Sequence, residues 1–220
     1  MDASTDPLPL SLQHTLESLQ IVLAEDQKRS LLDYLDLLQR WNSTYNLTAV
    51  REPAQMLTHH LADCLAIIGP LQRECGMGAF RLLDVGSGGG LPGAVIAMVL
   101  PQVEVTCIDS VGKKAAFIRQ VAGELKLRNL RAIHSRVEEL ETSSFDVIGS
   151  RAFASLSDFI RVTRTHLALN GTWMAMKGKV PTVELSELPA DVDVFHVEQL
   201  RVPALNAERC IVWMRPHPKS

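Results

Sequence analysis

Leucines recur at steps of three and four through the first third of the chain. Leu12, Leu16, Leu19 and Leu23 form one series; after the polar break EDQK, Leu31, Leu35, Leu38 and Trp41 form a second. Such spacing gathers each series on one helix face and predicts two amphipathic helices that need an apolar partner. A third helix is predicted from Pro53, a residue suited to a first helical turn, through MLTHHLADCLAII to a stop near Gly69 and Pro70. From Phe80 the texture changes to short apolar runs alternating with helical segments. RLLDV precedes PGAVIAMVL, VEVTCID precedes GKKAAFIRQVAGEL, LRAIH precedes RVEEL, FDVIGS precedes LSDFIRVTRTHLA, and GTWMAMK precedes a short helix near VELSEL. This alternation predicts a parallel sheet with crossover helices. DVDVFHVEQLRV and ERCIVWMR follow with no long helix between them and are expected to form an antiparallel pair closing the sheet edge. The expected division is a helical extension over residues 1–75, packed on a sheet domain over 76–220.

Composition narrows the class. With 220 residues and 46% hydrophobic content, the chain can bury the core of one principal domain. The start MDASTDPLPLS carries acids where an export signal has bases, and the longest apolar run, LPGAVIAMVL, is far short of the ~20 residues that span a bilayer. Cys64, Cys75, Cys107 and Cys210 show no C-x-x-C spacing, so reduced thiols in a cytoplasmic protein are expected rather than disulfides or zinc. The net charge of -3 conceals segregation: residues 1–112 carry 6 Lys/Arg against 13 Asp/Glu, residues 113–179 carry 12 against 6, and residues 180–220 carry 4 against 6. The basic centre includes Lys113, Lys114, Arg119, Lys126, Arg128, Arg131 and Arg136, and suits either a polyanion or plain solvation.

The stretch LLDVGSGGGLPG contains G-x-G-x-x-G at Gly88, Gly90 and Gly93, usually a dinucleotide loop. Asp84 argues for another ligand: an anion at the strand end repels a pyrophosphate but suits a cofactor carrying an ammonium and a sulfonium, such as S-adenosylmethionine. Gly86, Ser87, Gly88, Gly90 and Leu91 then shape the loop. Asp109, with Ser110 beside it, ends the second strand where a carboxylate accepts ribose hydroxyls, and Val137 and Glu138 after the third strand are placed to meet adenine. The fourth strand ends in Ser150, Arg151, Ala152 and Phe153, without the Asn/Asp-Pro-Pro-aromatic acceptor set that orients an exocyclic amine. A target nitrogen needing no acceptor fits this end, and guanine N7, unprotonated with its lone pair in the ring plane, is one. No dedicated catalytic base is expected, and alignment carries the rate. His59 with Asp63, and His60 with Cys64, stand at i,i+4, but no second ligand pair accompanies them, so no metal is expected and a helix-face or substrate-side role is.

WNSTYNLTAVRE, MLTHHLADCL, LLDVGSGGGLPG, IDSVGKKAAFIRQVAGELKL, SRVEEL, SRAFASL and a strand ending MKG, in this order and spacing over about residues 28–215, resemble the RsmG family, also called glucose-inhibited division protein B. The resemblance implies bacterial 16S ribosomal RNA guanine-N7 methyltransferases acting in the 530 loop. It implies a class I, Rossmann-like α/β fold: a mostly parallel seven-stranded sheet, helices on both faces, and a helical N-terminal extension. Family cofactor positions fall on Gly86, Leu91, Val137, Glu138 and Arg151, while Asp84 and Asp109 match family acids; Cys64 stands where serine is common. Arg151 and Asn46 are the candidates for a role at the reacting centre. Lys113, Lys114, Arg119, Arg136 and Lys177 are candidates for phosphate contacts. The expected partner is 16S rRNA or the small ribosomal subunit, bound by a monomer. Two rivals remain: an NAD-dependent oxidoreductase, from the literal glycine pattern and Asp109, and a non-catalytic ribosome-assembly binder.

Overall fold

The computed structural model describes residues 7–141, 144–153 and 155–217. The acidic first six residues read above lie outside this range. Two helices open the chain, α1 (Pro7–Ser18) and α2 (Glu25–Tyr45), and bury Leu12, Leu16, Leu31, Leu35 and Leu38 as their spacing requires. The third helix departs from expectation. It begins at Pro53 as α3 (Pro53–Met56), widens into a π-helical stretch at Leu57–Ala62, tightens again as α4 (Asp63–Leu65), and restarts as α5 (Ile68–Cys75). Gly69 and Pro70 therefore open a helix instead of ending one, because proline is tolerated in a first turn whose N–H groups have no intrahelical partner.

Seven strands follow: β1 (Arg81–Val85), β2 (Glu104–Asp109), β3 (Leu130–His134), β4 (Phe145–Ser150), β5 (Leu167–Lys177), β6 (Val192–Leu200) and β7 (Arg209–Pro216). They form one sheet in the order β3-β2-β1-β4-β5-β7-β6. β1 to β5 pair in parallel, while β7 inserts antiparallel between β5 and β6. Helices α6 (Gly93–Val99), α7 (Gly112–Glu124), α8 (Leu156–Thr163) and α9 (Thr182–Ser186) supply the other helical segments. RVEEL, expected to be helical, makes only a 3-10 turn at Val137–Glu139. Val137 is buried there while Glu138 and Glu139 are exposed, leaving too narrow an apolar stripe to seat a helix.

One core cluster joins the leucines of α1 and α2 to α6, α7 and Met174, Met176, Ile211 and Trp213 of the sheet; a second lies on the other face around Leu83, Ile148, Phe159 and Trp173. The helical segment thus shares its hydrophobic interior with one face of the sheet. Its most specific link is Tyr34 on α2, fully buried, whose hydroxyl donates a 2.7 Å hydrogen bond to the Gly89 carbonyl in the turn after β1. Burial pushes the Tyr34 phenol well above its ordinary pKa, keeping it a neutral donor. Tyr34→Phe leaves that carbonyl unsatisfied and is expected to cost about 1–2 kcal/mol, lowering Tm by about 2–6 °C in thermal melts.

Candidate cofactor and substrate site

Parallel strands open their carboxyl ends at a common rim, and the first turn there is built around Asp84. Its side chain is fully buried; Oδ2 accepts the Gly93 N–H at 3.0 Å, and the Cys107 thiol lies 3.8 Å from the same oxygen. A Cβ at Gly93 would stand 2.8 Å from Asp84 Oδ2 and 2.5 Å from Cys107 Sγ, so only glycine lets α6 start this close to the sheet. At Gly90, φ is +82° and a Cβ would meet Ala94 Cβ at 3.0 Å, so a side chain is doubly disfavoured. The third glycine of the pattern read from Gly88 thus sets the helix against the strand. Ser87 turns inward and donates to the Asp84 carbonyl at 2.7 Å.

Asp84 is not part of the wall of the clefts described below, and its second oxygen, Oδ1, is buried without a protein hydrogen-bond partner. Its negative charge acts from beneath the turn, not by lining the opening. Desolvation raises its pKa to about 6, with the Gly93 hydrogen bond and the Arg151 charge pulling the other way.

Two openings flank the turn. One, about 350 Å³, is lined by Gly86, Asp109, Ser110, Lys114, Arg136, Val137, Glu138 and neighbouring apolar groups. Asp109 accepts the Gly88 N–H at 2.9 Å and the Val111 N–H at 2.8 Å, with Lys114 Nζ 3.7 Å away. It is held rigid, yet each oxygen has a remaining lone pair. The other opening, about 250 Å³, contains Gly86, Ser87, Gly88, Leu91, Lys114 and Arg151, with Leu38, Leu47, Thr48 and His60 from the helical segment. The structure thus brings together the glycine turn, Asp109, Ser110, Val137 and Glu138 in one bipartite cleft, with Arg151 at one side.

Beyond Arg151 the cleft continues into a third cavity of about 370 Å³ lined by His59, His60, Asp63, Arg151, Lys177 and Arg209, among others. Asp63, 2% exposed, divides its carboxylate between Arg151 Nη1 at 3.0 Å and Arg209 Nε at 2.9 Å. It thereby fixes a pair of guanidinium groups from the ends of β4 and β7. His60 Nε2 lies 2.9 Å from Thr48 Oγ1, and burial, reinforced by the Arg151 charge, lowers its pKa to about 4, so the ring is neutral near pH 7.

Other candidates fall elsewhere. Asn46 caps α2 with φ +48° and is exposed; its neighbours Leu47 and Thr48 reach the cleft, but Asn46 is not in its wall. Lys177 lines the third cavity but is ion-paired with Glu184 at 2.8 Å and donates to the Phe153 carbonyl at 3.1 Å. Lys113 donates to the Tyr45 carbonyl at 2.7 Å, tying α7 to the end of α2. Arg119 and Arg136 are exposed. Sequence reasoning missed Tyr34, Thr48 and Arg209, and left Asp63 and His60 at a helix-face or substrate-side role without the arginine and threonine partners; the π-helical stretch around the two histidines has no local sequence signature. Among the described residues no group of three or more His, Cys, Asp or Glu is placed to hold a metal, and no helix is long and apolar enough to cross a membrane.

The strand order, the glycine turn after β1 and the acid ending β2 define a class I methyltransferase. Solved structures agree on the fold: 1,6-didemethyltoxoflavin-N1-methyltransferase of Burkholderia thailandensis has a TM-score of 0.59 at 15% identity, covering 90% of this chain and 92% of that one. TrmN of Thermus thermophilus gives 0.57 at 18% identity, covering 73% and 53%. Residues 27–212 match the family described as rRNA small subunit methyltransferase G, and the chain belongs to that family. Relatives named ribosomal RNA small subunit methyltransferase G include those of Methylibium petroleiphilum, 56% identical and covering 94% of each chain, and Leptothrix cholodnii, 58% identical and covering 91% of this chain and 92% of that one. The protein is an S-adenosylmethionine-dependent methyltransferase.

Two outcomes follow from the buried carboxylates. Asp84 has a folded pKa near 6 against an ordinary 3.8, so its ionisation costs the fold about 3 kcal/mol above pH 6, a cost that disappears as pH falls towards 4. Asp84→Asn is therefore expected to raise Tm relative to the parent at pH 8, with the difference shrinking towards pH 4 in a melting series. Asp63→Ala strands two guanidinium groups. Because each remains about a quarter exposed, the loss is expected to be about 2–3 kcal/mol, read as a fall in Tm of about 5–10 °C.

Proposed function

We propose that the protein transfers a methyl group from S-adenosylmethionine to N7 of a guanine in the 530 loop of bacterial 16S rRNA, acting as a cytoplasmic monomer on the RNA or the small subunit. The observation that carries the choice of nitrogen is the end of β4. Ser150 there turns its hydroxyl inward onto the Val85 carbonyl at 2.8 Å. The one carboxylate among the described residues lining the two cavities around Arg151 is Asp63, which is spent on two arginines. His60, with a pKa near 4, is too weak a base to deprotonate an amine at neutral pH. A target already unprotonated, guanine N7, matches such surroundings.

In this reading the glycine turn and Leu91 hold the methionine part of the cofactor, Asp109 and Ser110 the ribose, and Val137 with Glu138 the adenine. Asp84 contributes a negative field beneath the cationic end. The bound cofactor supplies a sulfonium methyl carbon, to which the N7 lone pair bonds as the sulfur departs with the electrons of the broken C–S bond. Arg151, held by Asp63, lies where the cofactor and target cavities meet and aligns the two. A neutral His60 is compatible with the positive charge that N7 methylation leaves on the base, whereas an imidazolium would repel it. The supporting facts are the family membership and the agreement of the turn, the β2 acid and the β3 turn around one cleft.

Incubating the protein with small subunits that lack the modification, and with methyl-labelled cofactor, is expected to place one methyl group on a guanine of the 530 loop. Mass spectrometry of the digested RNA should identify it as 7-methylguanosine. Label on another atom overturns the N7 assignment. Cofactor binding without any label would instead favour the non-catalytic binder, and binding of NADH in place of S-adenosylmethionine would favour the oxidoreductase.

A further inference from the structure

The basic centre of the chain divides between the two ends of the sheet. Between Lys113 and Arg136 there are seven Lys/Arg and a single acid, Glu124. Lys113, Lys114 and Arg136 stand at the carboxyl rim beside the cofactor cleft, and Arg119 is exposed partway along α7. Lys126, Arg128 and Arg131 come after α7 turns back, at the amino ends of the strands. There a further cavity of about 280 Å³ opens on the pole opposite the methyl-transfer site, with Arg81, Arg128 and Arg131 in its wall.

This second pocket is built, not merely charged. Arg81 Nη1 donates to the Ser144 carbonyl at 2.8 Å, and its guanidinium lies 5.0 Å over the Phe145 ring, so one cation is fixed in advance. Asn129 anchors the loop between Arg128 and Arg131 by donating to the carbonyls of Ala97 and Val103, both at 3.0 Å. Arg128 and Arg131 are exposed, and their guanidinium groups make no hydrogen bond or ion pair with any described residue. Glu104 is the one acid among the described residues in the wall; Asp146, nearby, accepts the Arg81 backbone N–H. The wall carries three arginines against one glutamate, with Asp146 beside Arg81, and guanidinium is the group best matched to a phosphate's paired oxygens. The five residues of β3 span about 17 Å between the two poles, and α7 runs alongside with Arg119 on its exposed side.

We propose that the α7–β3 edge is a phosphodiester track along which the substrate RNA lies, and that it ends in the Arg81–Arg128–Arg131 pocket as a second anchorage remote from methyl transfer. The inference rests on the reading that RNA is the substrate. Phosphate contacts of this kind fix register and orientation without reading bases, so the pocket would secure the RNA while the target guanine is presented at the other pole.

The test compares the parent, Arg128→Ala/Arg131→Ala, and a control, Arg161→Ala/Arg201→Ala, which removes two charges from other surfaces. Affinity for unmodified 16S rRNA is measured by filter binding across a salt series, alongside cofactor calorimetry and thermal melts. The pocket variant is expected to lose about tenfold or more in RNA affinity near 0.1 M salt. Its slope of log affinity against log salt should become shallower by about 1.4–1.8, with cofactor affinity and Tm unchanged. Parent-like affinity and slope in the pocket variant, beside a parent that methylates the RNA, overturn the track, as does an equal loss in the control. A parent that binds and methylates neither the free RNA nor unmodified small subunits overturns the functional reading, and the track with it.

Discussion

A carboxylate sealed beneath a glycine turn is the constraint on which the site depends. Asp84, one residue before the end of β1, has no exposure, receives the first N–H of α6 on one oxygen and keeps the other without a protein partner. Holding a charge there is unfavourable, and it is tolerated because a backbone N–H meets it at 3.0 Å and no Cβ at Gly93 keeps the helix away. From that contact follow the angle at which α6 leaves the sheet, the inward turn of Ser87, and the exposure of the glycine backbone to the cleft. An acid at this position thus has two consequences: it fixes the turn mechanically, and it sets the sign of the potential above it.

The arginines at the far side of the cleft obey the same logic. Asp63 comes from the helical segment, Arg151 from the end of β4 and Arg209 from the start of β7, so one buried carboxylate gathers three distant parts of the chain around a single cavity. Each guanidinium keeps donors beyond those given to Asp63, so the clamp orients both groups without exhausting them. The site is consequently a seam between the helical segment and the sheet, with neither supplying its walls alone.

Much of this architecture is legible in the amino-acid order, and the reason is periodicity. The leucine series of α1 and α2 and the apolar runs of the strands report burial directly, since each element's hydrophobic face must point one way. The turn after β1 and the acid ending β2 are legible because their chemistry is local, compressed into a few adjacent residues. The arginine partners of Asp63 are not legible in the sequence, since they lie 88 and 146 residues away and no spacing announces them. The same holds for Tyr34 and Gly89, 55 residues apart. The π-helical stretch and the restart at Ile68 depend on how one helix packs among others, which local propensity does not encode. In RVEEL the helical pattern is simply too short to bind itself to the core.

The 2.7 Å bond from Tyr34 to Gly89 bears on what counts as the smallest working unit. A boundary drawn at the start of the sheet would release a fragment containing every glycine of the turn and both strand-end acids. It would also expose an apolar sheet face, remove the far wall of the cleft, and leave the turn's carbonyl facing water. The methyltransferase core of this chain is in that sense not separable from its leading helices. They supply one wall of the opening beside the glycine turn, contributed early in synthesis and awaiting the rest of the chain to close against them.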